Sequence, residues 1–151
     1  MSDDYIKLVP RNPFARPDDD NLTQAVEWLG RVSPSNDGVE VICDAKPQFH
    51  DAGGNWEKTF CPVCRKEVLT DWWQDRMEED FDGEGFRLAS YAMPCCNARL
   101  TLNDLDYDWD QAFGVVAVIG QNLNVGRLSP DQIGDAEQLM GTPLTIVYCH
   151  L

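Results

Sequence analysis

Two strand-helix-strand patterns stand at opposite ends of this chain, and the segment 44–112 between them carries four cysteines in two close pairs. That arrangement predicts an α+β fold: a split βαβ, ferredoxin-like antiparallel sheet with both helices on one face, and a metal-braced insertion between the halves. At 151 residues the chain is long enough for one compact domain, 1–151, and short for two. Its composition, 43% hydrophobic and 10% aromatic, is too apolar for a disordered chain.

The first half opens with Tyr5-Ile6-Lys7-Leu8-Val9, a short strand ended by Pro10, and Pro13 and Pro17 mark the loop that follows. Asp18, Asp19 and Asp20 give a helix its acidic entry, and Leu22, Ala25, Val26 and Leu29 recur at helical spacing, with Gly30 suited to the end. After the turn residues 33–38, Val39 to Cys43 reads as the second strand. In the insertion, Thr70 is placed to cap a helix over 71–80 with Trp73, Met77 and Phe81 near one face, and Gly83 and Gly85 close it. Residues 86–92 and 99–102 read as strands flanking the second cysteine pair.

The second half begins with Phe113 to Ile119, a nearly continuous apolar run suited to a covered strand. Ser129, Pro130 and Gln132 supply a capping hydroxyl, a first-turn proline and a capping-box partner, so a helix starts there. Ile133, Ala136 and Met140 form its apolar stripe, Gly141 and Pro143 stop it, and Leu144 to Cys149 is the closing strand. Cys43 and Cys149 are expected as small buried thiols within strands.

The chemistry concentrates in the cysteines. Cys61-Pro62-Val63-Cys64 presents two thiolates at the separation of half a tetrahedral zinc site, and a turn at Pro94-Cys95-Cys96-Asn97 would supply the other half. His50 is the first substitute if Cys95 or Cys96 points away. A dithiol redox centre at Cys61 and Cys64 is the competing reading, but it normally sets its first thiol at the start of a long helix, whereas Arg65 to Leu69 reads as a turn and a short strand. Four protein ligands leave no open position for an activated water, so the expected zinc is structural.

A formal charge of −14 repels nucleic-acid phosphates and favours encounter with a basic protein. The first residues lack the basic and apolar regions of a secretion signal, and no run approaches the ~20 apolar residues of a membrane span, so a cytoplasmic protein is expected. In Asp104-Leu105-Asp106-Tyr107-Asp108-Trp109-Asp110 carboxylates alternate with apolar residues, which reads as a recognition edge with acidic steering and aromatic anchors. Trp72 and Trp73 lie beside a second acidic run, and about 100° separates neighbours on a helix, so one of them is available to a partner. Trp109 occupies the place where a calcium loop needs glycine. No phosphate loop and no nucleophile elbow occurs, and Cys149 and His150 face opposite sides of a strand. No catalytic constellation emerges, and a non-enzyme is expected.

Tyr5-Ile6-Lys7-Leu8-Val9-Pro10, the two cysteine pairs with their prolines, Trp72-Trp73 and Leu102 to Trp109 together resemble an uncharacterised family of small acidic bacterial zinc-ribbon proteins. Some members of that family carry a sugar-transporter ATPase label, which the missing phosphate loop does not support here. In general character the chain is also similar to the immunity proteins of bacterial toxin systems, which are small, acidic and non-enzymatic. That resemblance implies a partner with a basic surface, a cognate toxin. The alternatives are a thiol redox protein using Cys61 and Cys64, or a zinc-ribbon adaptor in a larger assembly.

Overall fold

The computed structural model describes residues 2–151. In chain order the elements are β1 (Asp4–Pro10), α1 (Asp19–Val32), β2 (Val39–His50), β3 (Thr59–Phe60), β4 (Glu67–Val68), α2 (Thr70–Asp80), β5 (Tyr91–Ala92), β6 (Arg99–Leu100), β7 (Asp106–Tyr107), β8 (Ala112–Gln121), α3 (Pro130–Met140) and β9 (Leu144–His150). A single 3-10 turn, Leu102–Asp104, precedes β7.

The four long strands form one sheet in the order β2-β8-β1-β9, and every neighbouring pair is antiparallel. β8 is buried from Ala112 to Gly120, as its unbroken apolar run requires of a strand covered on both faces. β1 alternates: Ile6 and Leu8 join the core formed by Leu22, Ala25 and Leu29 of α1 and Ala136 and Met140 of α3, so both helices lie on one face. Val9 joins Ala117, Ile119 and Val147 on the other face. The start of α3 is fixed locally, because Ser129 Oγ accepts from the Gln132 amide at 3.1 Å while Gln132 Oε1 accepts from the Ser129 amide at 2.9 Å. Gly141, at φ 71°, ends it in the left-handed conformation that glycine adopts at no steric cost.

Several boundaries differ from expectation. β2 does not end at Cys43; it resumes after an irregular stretch, and Gln48, Phe49 and His50 pair with Gly114, Phe113 and Ala112. Pro47 marks that stretch, and Arg16 covers it by donating to the carbonyls of Asp44 and Ala45. The chain between the long strands is therefore 51–111, shorter at both ends than 44–112. α1 continues past Gly30 to Val32, and the hydroxyl of the next residue, Ser33, donates to the Leu123 carbonyl at 2.6 Å. Thr70 is the first residue of α2 rather than its cap; Leu69 holds the cap position with no side-chain bond. Cys149 is buried as expected, but Cys43 is exposed, because it lies on the outermost strand.

Residues 51–111 build a second, smaller body around α2. It comprises the three-stranded sheet β4-β3-β7 and the β5-β6 hairpin. Its core gathers Cys61, Trp73, Met93, Leu102 and Tyr107 and continues into the main sheet through Phe113, the fully buried second residue of β8. Phe113 stacks on Phe49 at 4.9 Å between ring centroids, and Phe49 lies 5.7 Å from Trp73. This aromatic chain seats the cysteine-bearing body on the end of the sheet.

Candidate metal centre

Each cysteine pair sits in a hairpin of the same design. In the first, β3 pairs with β4, the Cys61 amide donates to the Lys66 carbonyl at 2.9 Å, and the Arg65 amide donates back to the Cys61 carbonyl at 2.9 Å. In the second, β5 pairs with β6, the Met93 amide donates to the Ala98 carbonyl at 2.8 Å, and the Asn97 amide donates to the Met93 carbonyl at 2.8 Å. Arg65 and Asn97 close the two turns with φ of 68° and 64°. Residues 59–68 and 91–100 are thus two copies of one knuckle. Pro62 matches Pro94 and Cys64 matches Cys96, but Met93 stands in the place of Cys61 and Cys95 in the place of Val63. The sequence signal is the shared proline; the mismatched cysteine spacing conceals the repeat.

The two knuckles face each other, and the sulfurs of Cys61, Cys64, Cys95 and Cys96 all lie within 4.8 Å of one another. Cys61 and Cys96 are 3.8 Å apart and Cys64 and Cys95 are 3.1 Å apart, and all four are free thiols. Cys61 is buried, Cys64 and Cys95 are half-buried, and Cys96 is exposed. The amides of Cys64 and Val63 hydrogen-bond the Cys61 sulfur and lower its pKa to about 7. Cys95 is pushed the other way, to about 12, chiefly by its hydrogen bond with Cys64. Without a cation, four thiols this close cannot all ionise; a metal ion removes that conflict, and the cluster is an arrangement able to hold one.

His50 is not part of the cluster. It is buried on β2, its Nε2 lies 3.3 Å from the Gly114 carbonyl, and burial lowers its pKa. No spare position needs filling, because both adjacent cysteines of the second knuckle reach the cluster.

The residues expected to meet a partner divide into two groups. Trp73 and Tyr107 are buried: Trp73 Nε1 donates to the Tyr107 hydroxyl at 3.1 Å, and that hydroxyl donates to the Leu102 carbonyl at 2.8 Å. They hold the small body together and are not surface anchors. Trp72 is half-buried, with the Arg76 guanidinium 5.5 Å from its ring centre. Trp109 lies under the Arg127 guanidinium at 4.6 Å. Asp104, Asp106, Asp108 and Asp110 are exposed, but three have local partners: Asp104 accepts from the Thr101 amide and hydroxyl, Asp106 pairs with the Arg65 guanidinium at 3.4 Å, and Asp108 accepts from the Glu57 amide. The segment is not one extended edge, because only Asp106 and Tyr107 are in a strand, paired with Phe60 and Thr59.

Nothing in the sequence singles out Asp80, since the last acid of an acidic helix looks like one more solvated charge. It is wholly buried and accepts from the amides of Leu88 and Ala89.

Among the described residues no helix is long and apolar enough to cross a membrane. No protein-family model, no curated protein and no solved structure matches the chain.

Proposed function

We propose that Cys61, Cys64, Cys95 and Cys96 hold one structural zinc ion, and that the protein is a non-catalytic, acidic binding protein which docks on a basic protein partner. The observation that carries the metal assignment is the convergence of four thiols within 4.8 Å. Zinc fits this donor set, because Zn–S bonds of about 2.3 Å in a tetrahedron set sulfur–sulfur edges of about 3.8 Å. The Cys61–Cys96 separation is 3.8 Å, and the 3.1 Å between Cys64 and Cys95 widens as the thiolates close around the ion. In this reading the strand order β2-β8-β1-β9 is a split βαβ sheet with a zinc ribbon inserted between its halves.

The binding half of the proposal rests on charge. A surface of net −14, with Asp71, Asp75, Glu78 and Glu79 exposed along α2, accelerates encounter with a basic surface and disfavours acidic ones. The most concrete role is that of an immunity protein neutralising a cognate bacterial toxin in the cytoplasm, where thiols stay reduced.

Two measurements test the two halves. Elemental analysis of protein purified without chelator should find one zinc per chain, and none in Cys61→Ser/Cys64→Ser. A metal-free folded protein that forms a reversible Cys61–Cys64 disulfide would instead establish redox chemistry. Co-expression with the products of neighbouring genes should yield a salt-sensitive complex and rescue cells from a toxic one. Failure of both complex formation and protection removes the immunity role.

A further inference from the structure

Away from the cysteines, where β9 and the loop after β8 meet the 102–111 segment, the protein has a cavity of about 380 Å³. Arg11 and Arg127 both line it, an unusual concentration for a chain with 12 basic and 26 acidic residues. The ion pairs among the described residues use Lys7, Lys46, Arg65, Arg76 and His150, so neither cavity arginine is neutralised by a carboxylate in contact.

Both guanidiniums are positioned with donors to spare. Arg11 is anchored through Nε, which donates to the Leu144 carbonyl at 3.2 Å, and its two terminal nitrogens have no hydrogen-bond partner among the described residues. Arg127 lies 4.6 Å from the ring centre of Trp109 and 5.3 Å from that of Tyr148. A cation–π contact uses the charge of a guanidinium without consuming its N–H donors, and that fork of donors suits a planar or tetrahedral oxyanion. In the wall, Gln111 takes the Ala52 amide on its oxygen at 2.9 Å, which fixes the orientation of its side chain, and its buried nitrogen has no partner among the described residues. Asp110 is the one carboxylate lining the cavity, so two guanidiniums face a single negative charge. Arg127 and Tyr148 also line a neighbouring cavity of about 220 Å³ whose walls include Trp109, Leu123 and Val125, room for an apolar body next to a charged head.

We propose that this cavity is an anion-binding site in which Arg11 and Arg127 grip the oxyanion of a small phosphate- or carboxylate-bearing molecule. The site is independent of the cysteine cluster and of any protein partner.

Titration of ¹⁵N-labelled protein with inorganic phosphate, and separately with succinate, each against sodium chloride at matched ionic strength, tests it. Saturable shifts at the Arg127 Nε–H and the Trp109 indole N–H are expected. A response to phosphate alone identifies a phosphoryl head and a response to succinate alone a carboxylate; either supports the site. Arg11→Gln/Arg127→Gln should weaken binding about tenfold or more, since charge-assisted hydrogen bonds are lost. Asp110→Asn should tighten it several-fold by removing the like charge, and decides the matter should the double variant not fold. Linear, unsaturating shifts with both anions, an affinity unchanged in the double variant, or no tightening in Asp110→Asn would overturn the proposal.

Discussion

The Tyr91 hydroxyl donates to Asp80 Oδ1 at 2.8 Å, and Asp80 is wholly buried. This bond ties the last residue of α2 to the first residue of the hairpin that carries Cys95 and Cys96. The same carboxylate takes the Leu88 amide at 2.7 Å and the Ala89 amide at 2.9 Å, so it organises the whole connection between helix and knuckle. Asp80→Ala leaves the buried Leu88 amide without an acceptor and should cost about 3 kcal/mol. Asp80→Asn, which keeps one acceptor oxygen, should cost about half as much. Urea denaturation measures both, and a loss under about 1 kcal/mol in Asp80→Ala would remove Asp80 from this role.

The pair also has an alkaline signature. Burial, reinforced by the bond to Asp80, raises the pKa of Tyr91 from its ordinary 10 to about 12. Between those values the unfolded chain has already released the proton and the folded one has not, so stability contributed below pH 10 is lost as pH rises towards 12. Tyr107, raised further by burial, adds to the same trend. Absorbance at the tyrosinate band should show a late-titrating phase that shrinks in Tyr91→Phe. An unchanged phase would place Tyr91 in contact with solvent.

Tyr107→Phe removes one oxygen and strands two groups. The Trp73 indole N–H loses its acceptor and the Leu102 carbonyl loses its donor, both inside the core of the small body. A loss of about 2 kcal/mol is expected, more than a single exposed hydrogen bond contributes. A blue-shifted or broadened tryptophan emission at low denaturant should accompany it. A variant as stable as the parent would show that water replaces the hydroxyl.

What can be read from the sequence depends on how far each determinant lies from the residue it governs. Ser129 and Gln132 fix the start of α3 within one turn, and the unbroken run from Phe113 to Ile119 identifies the buried strand by itself. The cysteine cluster is legible because Cys-x-x-Cys and an adjacent pair in a proline turn are local patterns. Residues 86–90 look like strand, yet Asp80 captures the amides of Leu88 and Ala89 and Leu88 takes φ 54°, which excludes a ladder there. Trp109 looks like a free anchor, yet it is stacked by Arg127, a residue from the other side of β8. Tyr107 draws its hydrogen-bond partners from α2 and the 3-10 turn, and no pattern within 104–110 announces them. Long-range capture by single side chains is the common cause of these differences.

Gly53 marks where the small body crosses the outer edge of the main sheet. It pairs in parallel with His150 of β9, and the Gly54 amide donates to the His150 carbonyl at 2.7 Å. At φ 60° any other residue is strained, and a Cβ at this position would stand 2.4 Å from the His150 carbonyl oxygen, a backbone atom with no rotamer to yield. Gly53→Ala should therefore destabilise by about 2–3 kcal/mol through strain and a displaced edge. It should also raise amide exchange at Gly54 and His150 selectively. Gly134→Ala, inside α3 with open space around it, should be neutral or slightly stabilising and serves as the contrast.

The repeated knuckle permits a sharper test of the proposed zinc site than removing ligands one at a time. Hairpins 59–68 and 91–100 share their hydrogen bonds and their left-handed closing residue, so the position of Met93 is equivalent to that of Cys61. Met93 is buried in the same core as Cys61. Met93→Cys/Cys95→Val would convert the second knuckle to Cys-Pro-Val-Cys, identical to the first at its ligand positions. If the two turns are geometrically interchangeable, the double variant retains one zinc per chain, whereas Cys95→Val alone loses a ligand and binds it more weakly by about 10- to 100-fold. The core must accept a thiol in place of a methionine side chain, a cavity costing about 1–2 kcal/mol, which is smaller than the metal contribution to folding. Competition with a chromogenic chelator reads the affinity and denaturation reads the stability. A double variant that binds no tighter than Cys95→Val would show that the site depends on the adjacent thiols of Cys95 and Cys96, whose directions differ from those of a Cys-x-x-Cys turn, and not on the knuckle fold alone.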